Sequence, residues 1–123
     1  MAGSTLNTRN VTQHAFGNST LATIVMVNAF GGPAPANPIA NNRLAIFGII
    51  ITVGAAETIT IQDTTGQALS QAFNLPAGGS IVLDPMNNGD FWWESPNAGA
   101  GLQIVQSVGG TALGYDVWWN PSI

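Results

Sequence analysis

From Arg43 to Asp63 the chain reads RLAIFGIIITVGAAETITIQD. Two runs rich in Ile, Val and Thr are separated by Gly54-Ala55-Ala56. β-branched side chains lose rotamer freedom in a helix and fit a pleated surface instead. Residues 43–53 are so continuously apolar that they predict a strand covered on both faces. Residues 57–63 alternate: Ile59 and Ile61 point one way, Thr58, Thr60 and Gln62 the other.

The remaining chain follows the same rhythm. Residues 21–30, 67–73, 80–84, 91–93, 102–108 and 111–119 read as further strands. They are punctuated by Thr64-Thr65-Gly66, Leu75-Pro76-Ala77-Gly78-Gly79, Asn88-Gly89 and Gly109-Gly110, all turn chemistry. Residues 31–38 hold three prolines and two glycines, so no regular element is expected there. Asn120-Pro121 is expected to end the last strand. About eight short strands with no helix predict an all-β chain, an antiparallel β-sandwich of jelly-roll type. Residues 1–20 are polar and without period, and read as a flexible or docking N-terminal arm. Residues 21–123 then form a single domain.

Charge narrows the function classes. Charged residues are 7% of the chain, against about 25% in ordinary soluble domains. Two arginines, no lysine and a net charge of −4 leave too little positive charge to neutralise a nucleic-acid backbone. The apolar run 44–56 is shorter than the roughly 20 residues needed to cross a bilayer, so no membrane partner is expected. Residues 21–30 could mimic a signal core, but a long polar stretch with only Arg9 positive precedes them. There is no cysteine. A surface of Asn, Gln, Ser, Thr and Gly suits an extracellular or virion protein, or one that covers itself with copies of itself.

Few groups can do chemistry. The six carboxylates are Glu57, Asp63, Asp84, Asp90, Glu94 and Asp116. On one strand Asp90 and Glu94 would share a face roughly 13 Å apart, beyond the spacing of glycosidase carboxyl pairs. Asp90 then serves a turn and Glu94 a strand end. His14 is the single histidine, so a metal site would need copies gathered on a three-fold axis. Asp84-Pro85-Met86-Asn87-Asn88-Gly89 lacks the acidic density of a calcium loop and reads as a turn. No catalytic residue, cofactor or metal is expected.

The aromatic residues carry more. All four tryptophans stand in adjacent pairs, Trp92-Trp93 and Trp118-Trp119. Neighbours on a strand face opposite ways. One of each pair enters the core and the other faces out; Trp119 goes in with Tyr115 and Val117, and Trp118 out with Asp116. Phe91, Trp92, Trp93, Trp118 and Trp119 are the expected core and interface residues, as Trp is enriched at protein interfaces. An outward tryptophan could equally stack a sugar ring.

Residues 57–119 resemble small jelly-roll-type phage virion proteins that decorate heads or form spikes. The resemblance rests on FNLPAGGSIVLDP, NGDFWWESPNAGAGLQI and GGTALGYDVWW. It covers about half the chain, and residues 21–53 match none of it. It implies a non-enzymatic capsid decoration (cement) protein. Such a protein forms a homotrimer on the capsid exterior and binds the major capsid protein or another virion protein. The alternative it implies is a carbohydrate- or receptor-binding module of a fibre or spike. A small major coat or minor head subunit is a third structural role.

Overall fold

The computed structural model describes residues 13–31, 42–84 and 91–122. These residues form nine strands: β1 (Gln13–Ser19), β2 (Thr23–Val27), β3 (Arg43–Val53), β4 (Glu57–Asp63), β5 (Phe73–Leu75), β6 (Ser80–Leu83), β7 (Trp93–Glu94), β8 (Leu102–Gln106) and β9 (Leu113–Ser122). One sheet has the order β1-β9-β3-β6, with β7 also on β3; the other has the order β2-β8-β4-β5. Every pairing is antiparallel. Setting aside the two-residue β7, the pairs nest: β1 with β9, β2 with β8, β3 with β6, β4 with β5. That nesting is a hairpin rolled on itself, a jelly roll.

The core lies between the two sheets, and β3 is its spine. Leu44 and Ile46 point inward, and so do Ile49, Ile51 and Val53. The switch from even to odd positions needs one extra residue, and a bulge between Ile46 and Gly48 supplies it. From the facing sheet come Ile24, Met26, Ile59, Ile61, Leu102 and Ile104; Leu113 and Val117 of β9 complete the filling. Each such side chain contributes about 1.5–3 kcal/mol by leaving water.

Strands β3 and β4 have the bounds expected from sequence. Other elements differ. The stretch 67–73 is not a strand: it makes one bridge, Ala68 to Gln62, and pairing with β4 starts at Phe73. Within the segment read as an arm, Gln13–Ser19 is strand β1, paired with β9 over all seven residues. The strand expected at 91–93 is Trp93–Glu94. Asn120-Pro121 does not end β9, which stays paired with β3 as far as Ser122. Among the described residues β1 reaches only Trp119 on the other side, and a strand paired on one side tolerates proline. The outer face of β3 is not covered as expected, since Ile50 and Phe47 are half-buried and Thr52 is exposed. The turns expected at 85–89, Asp90 and most of the proline-rich segment lie outside the described residues.

Candidate interaction surface

The outward side chains of the β1-β9-β3-β6 sheet form aligned rows, because directly opposed residues share a face. One row runs Phe16, Asp116, Ile50, Val82. The next holds His14 and Trp118, with Gly48 beyond them adding no side chain. Phe16 is 72% exposed and Val82 56%. They stand on one face, separated along the row by Asp116 and the half-buried Ile50, and exposed apolar groups gathered on one face mark contact sites more often than single exposed residues do.

Three aromatic rings sit together at the β1 side. The imidazole of His14 stacks on Trp118 with centroids 4.5 Å apart and planes 3° apart, and lies 5.4 Å from the ring of Phe16. His14 Nε2 is 2.8 Å from Asp116 Oδ1. One face of the outward Trp118 is therefore occupied within the chain. Beside this cluster Gly114 stands between Asn18 and Thr52. A Cβ on Gly114 would come within 2.8 Å of Asn18 Oδ1. With no side chain there, the sheet carries an open depression of ≈ 240 Å³, bordered by Phe16, Asn18, Ile50, Thr52 and Asp116.

The five aromatic residues singled out from sequence divide cleanly. Trp93 and Trp119 flank Ile46 from either side in one inward row and pack on the core. Trp118 is outward under His14. Phe91 and Trp92 stay open to solvent, 44% and 40% exposed. Trp92 is nevertheless held: its backbone N–H donates to Ile46 O at 2.8 Å and its Nε1 to Asp84 O at 3.0 Å. Tyr115 points inward, and burial raises its hydroxyl pKa above the usual value. The part of His14 and Phe16 was missed in sequence because both lie in the segment read as an arm.

The opposite sheet presents mostly neutral polar groups, with Val25 exposed at its β2 edge. Gln103 Nε2 donates to Gln62 Oε1 at 3.0 Å, and Thr58 Oγ1 to Asn74 Oδ1 at 2.6 Å. Glu94, expected at a strand end, is the last residue of β7 and pairs with Arg43 at 3.5 Å. Asp63 is fully buried, and its role is structural. Its carboxylate accepts from Thr65 N at 2.9 Å, Gln67 N at 3.1 Å, Asn97 Nδ2 at 2.7 Å and the Thr65 hydroxyl. Burial alone would raise its pKa, but these donors outweigh burial and hold it below the ordinary carboxyl value. Among the described residues no three His, Cys, Asp or Glu side chains gather as a metal site.

No family model matches the chain, and a search of curated proteins finds no match to it.

Proposed function

We propose that this is a non-enzymatic structural protein of a virion, a capsid decoration protein. It associates with copies of itself as a homotrimer and packs on the capsid exterior. The observation that carries the reading is the outer face of the β1-β9-β3-β6 sheet. It exposes Phe16 and Val82 on a chain with only 7% charged residues. Burial of such a face against a lattice is driven by apolar area removed from water. Jelly rolls recur in capsid and lectin domains, and the sequence pattern of residues 57–119 supports the first. The test is co-sedimentation with shells assembled from the major capsid protein encoded nearest its gene. Bound copies should saturate at a fixed ratio and raise the shell's melting temperature. No binding to such shells would overturn the role.

A second reading has its own observation. The depression over Gly114 joins an aromatic wall, Phe16, to the polar groups of Asn18, Thr52 and Asp116. Aromatic rings with amide, hydroxyl and carboxylate partners suit a sugar ring, which favours a carbohydrate- or receptor-binding module. Glycan-array binding lost in Phe16→Ala, with shell binding absent, would favour it.

A further inference from the structure

A sheet edge is an unfinished row of backbone donors and acceptors, and proteins usually blunt it with short strands, bulges, charges or proline. Three of the four edges here are blunted. Strand β5 has three residues and β6 has four, and β2 loses register between Val25 and Val27. Strand β1 is different. It runs seven residues in unbroken register with β9 and contains no Lys, Arg, Asp, Glu or Pro. Among the described residues nothing pairs with its other side. At its midpoint stands Phe16, the most exposed large hydrophobic among the described residues.

We propose that β1 pairs antiparallel with β1 of a second copy about a two-fold axis at Phe16. The strand is self-complementary in that register. Phe16 meets Phe16 of the copy on the outer face, and His14 meets Asn18. Ala15 meets Gly17 on the inner face, where neither can clash. No charge opposes a like charge. The nearest carboxylate, Asp116, lies one strand in and is tied to its own His14 at 2.8 Å. The product is one continuous sheet of order β6-β3-β9-β1-β1-β9-β3-β6, and its outer face joins the two Phe16-to-Val82 rows end to end.

The pairing rests on the edge strand and not on the role proposed above. It joins copies in even numbers: dimers, or hexamers where a separate three-fold contact also forms. A seven-residue edge is roughly 23 Å long, so the buried area falls toward the low end for specific interfaces. The association is accordingly weak and concentration-dependent.

The absence of cysteine allows a clean distance measurement. Val82 is exposed and lies in the same row as Phe16. A spin label on Val82→Cys is therefore separated from its mate by seven inter-strand spacings, roughly 34 Å at about 4.8 Å each. Pulsed dipolar spectroscopy at a few hundred micromolar should show a population near that distance. Phe16→Lys should abolish it, with a thermal midpoint within a few degrees of the parent showing that the variant is folded. A chain that stays monomeric at these concentrations overturns the proposal, even if the edge accepts a strand from another protein. So does an oligomer that lacks the distance near 34 Å, or one in which that distance survives Phe16→Lys.

Discussion

The imidazole of His14 lies flat on the indole of Trp118, 4.5 Å between centroids, while its Nε2 sits 2.8 Å from Asp116. This contact fastens an edge strand to the rest of the roll. The inward residues of β1 are Ala15 and Gly17, which bury little. Much of the side-chain hold of β1 therefore lies on the outer face.

His14→Ala should accordingly destabilise the chain by about 1 kcal/mol, most of it from the lost stacking. His14→Phe keeps a ring over Trp118 and loses only the half-exposed contact to Asp116, worth little at a surface. It should cost less than His14→Ala. Urea midpoints of the three proteins check the order. Hydrogen exchange should speed up first at the amides of β1 in His14→Ala.

Asp63 sets an acid limit on stability. Its folded pKa lies below the ordinary value of 3.8, so the unfolded chain binds the proton more readily. Its contribution is complete above about pH 4 and fades as pH falls through the folded value. Asp63→Asn should lower the urea midpoint at pH 7, by about 1–3 kcal/mol in free energy. It should also lose less than the parent between pH 4 and pH 2. An unchanged acid profile in Asp63→Asn would assign the acid sensitivity to other carboxylates.

Gly101 is held by a close approach. A Cβ built there would lie 1.9 Å from Val27 O and 2.6 Å from the carbonyl carbon of Asn28. Both are backbone atoms beside the β2 irregularity and cannot swing away. Gly101→Ala should cost upwards of about 3 kcal/mol, as the largest core effects do. Gly109→Ala serves as a control, because its Cβ would meet only Ala22, at ordinary contact distances of 3.4 Å from the methyl and 3.9 Å from Cα. Thermal melts of the two should differ widely.

How far the sequence could be read depends on where the large side chains point. Strands β3 and β4 were legible to the residue, since Ile and Val mark the inward positions and Gly54 and Thr64-Thr65-Gly66 close them off. Strand β1 inverts that rule. Tyr115 reaches across from β9, and a Cβ on Gly17 would meet its hydroxyl at 3.1 Å. The inward positions of β1 must therefore be small, and the one large apolar residue, Phe16, faces water. Alternation inside Gln13–Ser19 then looks like a polar arm. Residues 67–73 mislead in the opposite sense. Leu69 and Phe73 do pack on the core, but before Phe73 the backbone pairing with β4 is confined to the Ala68–Gln62 bridge and the bonds that flank it, Leu69 N to Ile61 O at 2.8 Å among them, so the chain between Leu69 and Phe73 runs as a loop. The split of each tryptophan pair is legible from strand geometry, whereas the partner of Trp118 is not, because β1 does not look like a strand in sequence.

Glu57 marks a cost the fold carries. It is buried at 7% exposure, and neither carboxylate oxygen has a hydrogen-bond partner within the described residues. Gln106 Oε1 is also buried without a partner, and Gln106 lies opposite Ile59, two positions along the same face from Glu57. Two unsatisfied acceptor groups at one end of the core should be destabilising. Glu57→Met keeps similar bulk and removes the carboxylate, so it should raise the unfolding free energy by about 1–3 kcal/mol. Denaturant titration in the absence of any partner measures this directly. A loss of stability instead would mean that the carboxylate is satisfied by a group supplied from outside the described residues. The end of the roll around Glu57 would then be a contact point and not a defect.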